Sequence, residues 1–305
     1  MIRPATPTDA DAIWDIFQQV VAARDAYVFL PEMPREDAVS YWLSENVIAR
    51  VAELDGRVVG VYKLIDNRPG LGAHVANASF IVHPAASGRG VGHAMGAHCL
   101  REARRQGYEA MQFNFVVSTN TRAVALWQRL GFRTVGTLPR AFRHGTLGLV
   151  DALVMYRDLS DIVPTFGTPP ADGSAIERPS AYAVVTDARR EIAIVHAEEG
   201  IMLPGGGIDA DESATAAAVR EVAEECGLTV AITGDLGAAT EFVHSPKKRA
   251  IFEKRSRFAS ARVQSTSSGA PPEHRTEWLN VHDALDAVTY ESHAWAIRRW
   301  QRLNS

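Results

Sequence analysis

At 305 residues, with 46% hydrophobic and 22% charged residues, the chain has an ordinary soluble composition and material for two cores of about 150 residues each. A formal net charge of −4 argues against a general nucleic-acid or membrane-surface binder. No apolar run approaches transmembrane length, and Met1–Ala10 lacks the apolar centre of a signal peptide, so a cytoplasmic location is expected. Cys99 and Cys226 fall in predicted helices of different halves and read as reduced core residues.

In chain order, the first clear elements are a strand over Ala73–Val82, the turn His83-Pro-Ala-Ala-Ser-Gly-Arg-Gly-Val-Gly92, and a helix stopped by Gly107. That helix carries Met95, Cys99 and Ala103 on one face. A strand feeding a glycine-rich turn at a helix N-terminus offers converging N–H groups and a positive dipole end to a phosphate. A strand over Met111–Val117 and a short amphipathic helix from Asn120, ended by Gly131, follow. Gly136–His144 is expected as a loop between the last two strands, with Arg140 and Arg143 available to an acidic acceptor or simply solvated. Leu149–Tyr156 reads as the closing strand. Tyr27, Tyr41 and Trp42 in the first helical region are either acceptor-pocket residues or core.

These residues resemble the GNAT acetyltransferase family over roughly Ile2–Leu159: its R/Q-x-x-G-x-G/A acetyl-CoA loop, its N-x-x-A-x-x-L-Y-x-x-x-G-F element and an opening Ile2-Arg3-Pro4-Ala5. The resemblance implies a mixed β-sheet with flanking helices, acetyl-CoA as co-substrate and a small amine as acceptor. It implies that Arg89, Gly90, Val91 and Gly92 cradle the cofactor pyrophosphate, that Ile81 and Val82 pair their backbone with pantetheine, and that Asn120 contacts the cofactor arm. Two positions depart from the pattern. Ser87 replaces the Arg or Gln of the loop. Trp127 replaces the Tyr that commonly protonates the departing thiolate, and an indole has no such proton to give. His74 and His83 are the histidines beside this strand that could act as a base, but His83 precedes Pro84 and suits a turn.

Asp161–Ser180 holds four prolines and two glycines without apolar periodicity and reads as a linker between domains at 1–160 and 181–305. Beyond it come strands over Ala181–Thr186 and Glu191–Ala197, a helix over Ser213–Cys226, and strands over Thr240–Val243 and Ile251–Val263. A polar loop over Gln264–Pro272, a strand over Thr276–Leu279 and helices near His282–Ala287 and Glu291–Arg302 complete the chain. The class is α+β.

Within this half, Gly206, Glu212, Arg220, Glu221, Glu224, Glu225 and Gly227 satisfy G-x5-E-x7-R-E-U-x-E-E-x-G-U, with Val222 and Leu228 at the apolar positions. Glu221, Glu224 and Glu225 stand at i, i+3 and i+4, on one helix face opposite Ala218, Val222 and Cys226. Three adjacent carboxylates call for a cation. Hard oxygen donors suit Mg²⁺ or Mn²⁺, which clamps a diphosphate and activates water. Arg220 is placed to orient a carboxylate through its planar fork, and Gly205, Gly206 and Gly207 are expected as a substrate-phosphate loop. This spacing is the signature of the Nudix hydrolases, which it resembles, implying an α/β/α sandwich and a nucleotide-type substrate. Glu221, Glu273 or Glu277 would act as the base, with Glu253 as a further candidate. Val195–Leu203 lacks the extra motif carried by Nudix enzymes acting on CoA. An alternative is a Nudix hydrolase with an acetyl-CoA-sensing, non-catalytic first domain.

Overall fold

The computed structural model describes residues 1–245, 248–266 and 272–304. The chain divides into two compact units, one of Met1–Arg104 with Tyr108–Asp161 and one of Ile162–Ser305 with Arg105–Gly107. Part of the polar loop expected over Gln264–Pro272 lies outside the described residues. Among the described residues, no helix is long and apolar enough to cross a membrane.

The first unit is a seven-stranded mixed sheet. Its spatial order is Ile2–Pro4, Ile48–Leu54, Arg57–Asp66, Val75–Val82, Ala110–Val117, Gly148–Asp158 and Arg133–His144. Every pairing is antiparallel except that of Val75–Val82 with Ala110–Val117, which covers only Val75↔Ala110 and Ala76↔Met111 before the strands part. Ile13, Ile16, Phe17 and Val21 of the Ala10–Ala22 helix and Trp42 of the Arg35–Leu43 helix pack on Val51, Val61 and Ile81. In the Val91–Arg105 helix Met95, Cys99 and Ala103 are fully buried, which is the face expected from their spacing.

Gly136–His144 is not a loop. It belongs to the strand Arg133–His144, paired with Gly148–Asp158 through irregularities between Thr134 and Gly136 and between Leu138 and Phe142. Arg140 takes a left-handed φ of 53° there, and its N–H donates to Asp151 Oδ1 at 2.8 Å. Pro139 and Gly136 disguise the strand in the sequence, because both are poor strand formers that a bulge accommodates.

The second unit is an eight-stranded mixed sheet between helices. The order Gly200–Met202, Ile192–Ala197, Ile176–Thr186, Ala250–Thr266, Leu228–Ser245, Thr165–Phe166 is completed by Gly205–Gly207 on Ile176–Thr186 and by Arg275–Leu279 on Ile192–Ala197. Alternation along Ile176–Thr186 sends successive side chains to opposite layers. Ala181, Ala183 and Val185 meet Ala217, Ala218, Val222 and Cys226 of the Ala214–Cys226 helix. Tyr182 and Val184 meet Trp295, Ala296, Ile297 and Trp300 of the Glu291–Asn304 helix. Both cysteines are free and buried, and burial pushes the Cys226 thiol up to about 11.

The segment read as a linker is partly built into this unit. Thr165–Phe166 pairs in parallel with Thr240–Glu241, Phe166 is 1% exposed in the core, and Ile176–Thr186 starts five residues before the expected Ala181. One buried aromatic among prolines and glycines leaves no periodic trace. Phe166→Ala should therefore destabilise the second unit by about 3 kcal/mol, measured by denaturant unfolding of the full chain; a change within the error of the wild type would contradict the placement.

His293 is a second buried group with an energetic consequence. Its Nδ1 accepts the Leu203 N–H at 3.0 Å, and burial, then the Lys254 charge, holds the imidazole down at about 3 against an ordinary 6.5. The unfolded chain therefore takes up a proton below pH 6.5 that the folded chain refuses. The stabilisation is complete above that pH and declines towards pH 3 by up to about 1.4 kcal/mol per pH unit. His293→Asn keeps an acceptor but cannot titrate, so the variant should lose less stability than wild type between about pH 7 and about pH 5. Parallel losses in the two proteins would rule His293 out as the source.

Candidate functional sites

The Ala214–Cys226 helix is set at both ends by its own residues. Ser213 Oγ accepts the Ala216 N–H at 3.1 Å, and Gly227 closes the helix in the left-handed conformation, φ 63°. With Ala217, Ala218 and Val222 facing the sheet, the acidic positions fall on the flank at graded depth. Side-chain exposure is 49% for Glu224, 17% for Glu221 and 8% for Glu225. Arg220 gathers the outer carboxylates. Its Nε and Nη2 bond both oxygens of Glu212 at 3.1 and 3.0 Å, and its Nη1 bonds Glu221 at 3.0 Å and Glu224 at 2.9 Å. Nη2 also donates to the Gly207 carbonyl at 3.2 Å. The guanidinium thus ties the helix to the glycine loop and holds the Glu212 carboxyl below its usual range.

Two of the loop glycines are required by close neighbours, a main-chain carbonyl at Gly205 and a carboxylate at Gly206. A Cβ at Gly206 would stand 2.4 Å from Glu221 Oε1, and one at Gly205, whose φ is +145°, would stand 2.2 Å from the Ala181 carbonyl. A Cβ at Gly207 would meet nothing within 4 Å. The Gly205 N–H donates to Glu225 Oε2 at 2.9 Å. Burial pushes the Glu225 carboxyl up to about 7, against the pull of that N–H, and the charges of Glu221, Glu273 and Glu224 add to the rise.

The three candidate bases outside the helix lie differently. The Glu273 N–H donates to the Glu224 carbonyl at 3.0 Å and the His274 N–H to the Glu225 carbonyl at 3.2 Å, so this segment closes over the helix end with Glu273 exposed. His274 Nε2 stands 3.4 Å from Glu225 Oε1, a neighbour that the sequence reading did not single out. Glu277, on the strand opposite Ile194, is engaged by His196 Nε2 at 2.8 Å and Arg275 at 3.5 Å. Glu253, on the Ala250–Thr266 strand, bonds Arg255 at 2.7 Å.

Among the described residues, no three His, Cys, Asp or Glu side chains close into a metal cage. The donor set nevertheless suits a hard divalent cation. It offers oxygens only, at three neighbouring places on one helix flank, and Mg²⁺ keeps several waters while using one or two carboxylates. A cation here would also draw the Glu225 carboxyl back to its charged form.

In the first unit the parting of Val75–Val82 from Ala110–Val117 opens a cleft of about 420 Å³. Asn77 Nδ2 donates to the Gln112 carbonyl at 3.0 Å near the point where the strands separate. Tyr27, Tyr41, Ser79, Phe80, Val82 and Trp127 are among the lining residues. Tyr27 bridges one open backbone site: its hydroxyl accepts the Phe80 N–H at 3.0 Å and donates to the Phe80 carbonyl at 2.8 Å. Tyr41 Oη lies 2.8 Å from Ser79 Oγ. Trp42, by contrast, is fully buried.

The register corrects one expected cofactor contact. Val61 opposes Ile81, and the His83 N–H donates to the Val59 carbonyl at 2.8 Å. Since hydrogen-bonding direction alternates along a strand, the Ile81 backbone belongs to the ladder with Arg57–Asp66. Phe80 and Val82 face the cleft edge instead. Asn120 lines the cleft, but its Oδ1 caps the Thr121–Arg129 helix by accepting the Ala123 N–H at 3.1 Å. His83 is a turn residue, its Nδ1 accepting the Ala85 N–H at 3.1 Å.

Gly88 and Gly90 take φ of +79° and +80°, which turns the chain from strand to helix, and a Cβ at either would meet nothing within 4 Å. The first turn of the Val91–Arg105 helix then presents N–H groups that have no intrahelical carbonyl. Arg89 turns away, with its guanidinium 3.1 Å from Asp55. Trp127 is 8% exposed and packs with ring centroids 4.8 Å from Phe80 and 4.7 Å from Phe113.

The model of the acetyltransferase (GNAT) family matches residues 12–132, and that of the NUDIX domain matches residues 176–301. The chain is 34% identical over 98 residues to N-acetyltransferase aca1 of Schizosaccharomyces pombe, covering 32% of this chain and 47% of that protein. It is 28% identical over 83 residues to protein SPT10 of Saccharomyces cerevisiae, covering 27% of this chain and 13% of that protein. The match thus spans less than half the length of these curated relatives. Among solved structures, a GCN5-related N-acetyltransferase from Kribbella flavida is 46% identical with a TM-score of 0.50, covering 52% of this chain and 96% of that one.

Proposed function

From a chain that joins an acetyltransferase domain of the GNAT family to a NUDIX domain, we infer two enzymatic activities, each with its own site. The NUDIX domain hydrolyses a nucleoside diphosphate linked to another group. The observation that carries this reading is the apposition of Glu221 and Glu225 to the backbone of Gly206 and Gly205, which makes one surface of carboxylates and loop amides. Glu221, Glu224 and Glu225 would hold Mg²⁺ or Mn²⁺, which supplies charge neutralisation for the diphosphate and a more acidic water. Of the glycines expected to receive phosphate, Gly205 and Gly206 instead seat Glu225 and Glu221, Gly207 leaves its backbone open to the phosphates, and Arg220 keeps Glu221 and Glu224 oriented. A water attacks phosphorus, and the bond to the bridging oxygen breaks. Glu273 is favoured over Glu277 to take the water proton, because Glu273 is exposed beside the helix end whereas His196 and Arg275 engage Glu277.

The first domain transfers acetyl from acetyl-CoA to a small amine. The cleft between the parted strands supports this, with pantetheine pairing along the Phe80–Val82 edge and the pyrophosphate at Gly88–Gly92. The amine nitrogen attacks the thioester carbonyl, the C–S bond breaks, and the thiolate leaves to take a proton. The indole of Trp127 supplies none, and that observation favours a second reading in which acetyl-CoA is bound and not consumed. Turnover of acetyl-CoA across an amine panel decides between them.

Three outcomes test the proposal. Glu225→Gln keeps an acceptor for the Gly205 N–H and should fold normally, while diphosphate hydrolysis falls by about two powers of ten or more. EDTA should silence the wild type, and Mg²⁺ or Mn²⁺ should restore it. After a nucleotide screen has supplied a substrate, metal-independent turnover or a fully active Glu225→Gln would overturn this mechanism. Gly90→Glu strains a backbone at φ +80° and puts a carboxylate into the space assigned to phosphate. Acetyl-CoA binding, measured by calorimetry on the folded variant, should be abolished; unchanged affinity would remove the pyrophosphate from this turn.

A further inference from the structure

Two arginines lie at the glycine turn, each near the positive end of a helix, where a cation is unfavourable by itself. Arg89 precedes the Val91–Arg105 helix and is compensated by Asp55 at 3.1 Å. Arg122 is the second residue of the Thr121–Arg129 helix, and its Nη1 stands 3.5 Å from Ser87 Oγ at the start of the turn. That hydroxyl is neutral, and among the described residues no carboxylate pairs with Arg122 as Asp55 does with Arg89.

The position of Arg122 follows from helix packing. A Cβ at Gly92 would stand 3.3 Å from Leu126 Cδ2, and one at Gly96 would stand 2.5 Å from Leu130 Cδ1. Positions 92 and 96 are one helical turn apart, as are 126 and 130. Continued one turn towards both N-termini, the same strip sets position 122 beside position 88. Glycine at 92 and 96 therefore brings the second helix close enough for Arg122 to reach the turn.

Resting on the acetyl-CoA reading above, we propose that Arg122 is the side chain that clamps the cofactor pyrophosphate over Ser87–Gly92. The turn offers neutral N–H donors and the Ser87 hydroxyl, whereas a diphosphate carries charge that a guanidinium fork meets with paired, charge-assisted hydrogen bonds. The bound anion at the same time offsets the unfavourable placement of Arg122 at its helix start.

The test is calorimetry of the full chain with acetyl-CoA and with S-acetylpantetheine, which has the thioester arm but no pyrophosphate. Arg122→Ala should weaken acetyl-CoA binding by about tenfold or more while leaving S-acetylpantetheine within about twofold. Arg122 is exposed, so its melting temperature should match that of wild type. Equal affinity of wild type and variant for acetyl-CoA would overturn the role of Arg122 alone. Equal weakening for both ligands would overturn it too, by pointing to a distorted cleft. Failure of the wild type to bind acetyl-CoA would overturn the cofactor reading, and this inference with it.

Discussion

The second unit is organised around a buried carboxylate. Glu225 is 6% exposed, and the charges of Glu221, Glu224 and Glu273 act against its ionisation. Burying an anion is expensive without compensation, and here the compensation starts with the main chain through the Gly205 N–H. For that amide to reach the helix flank, the loop must pass where side chains do not fit. The Ala181 carbonyl bounds Gly205 and the Glu221 carboxylate bounds Gly206. The ladder from Gly205–Gly207 to Ser180–Tyr182 carries the constraint into the sheet, and Arg220, bonded to Gly207 and to three glutamates, closes it from outside. Glycine loop, acidic helix and central strand therefore form one object whose remaining electrostatic strain a divalent cation would relieve.

The first unit meets a related problem through its sheet. Two parallel strands stop pairing after two residues, and main-chain groups beyond that point need other partners. Asn77 serves Gln112, and Tyr27 serves both groups of Phe80. Each is a local answer to a split that could otherwise close by ordinary strand pairing. A ligand with an extended amide-bearing arm matches such an edge by its chemistry.

How much of this could be read from the sequence depends on how the information is stored. The acidic helix was legible because spacing on a helix sets direction: Ala218, Val222 and Cys226 are buried as their period requires. The depth of Glu225 was not, because it depends on a loop contact across 20 residues. The sequence offered both Ile81 and Val82 to the cofactor edge, and which backbone is open shows only once the neighbouring ladder is known. Strand Arg133–His144 was missed because its bulge needs the residues that usually end strands, and its left-handed Arg140 is held by Asp151 from another strand. Phe166 was missed because a single buried side chain has no period.

The tryptophan at 127 is part of the packing rather than an isolated exchange. A Cβ at Gly96 would stand 3.1 Å from its Cζ3, so the indole occupies room that exists because position 96 has no side chain. Around it stand Phe80, Phe113 and Phe132 at centroid distances of 4.8, 4.7 and 6.0 Å. A tyrosine in the same place would be smaller and would bring a hydroxyl into an aromatic setting, where it costs stability unless it finds a partner. The hydroxyls that line this cleft belong instead to Tyr27, Tyr41 and Ser79, with Tyr41 and Ser79 2.8 Å apart. Burial raises the pKa of both phenols above the ordinary value, which suits them to donating hydrogen bonds and leaves them weak proton donors. The Trp127 wall of the cleft is thus committed to packing, and the hydroxyls stand on the Tyr27 wall.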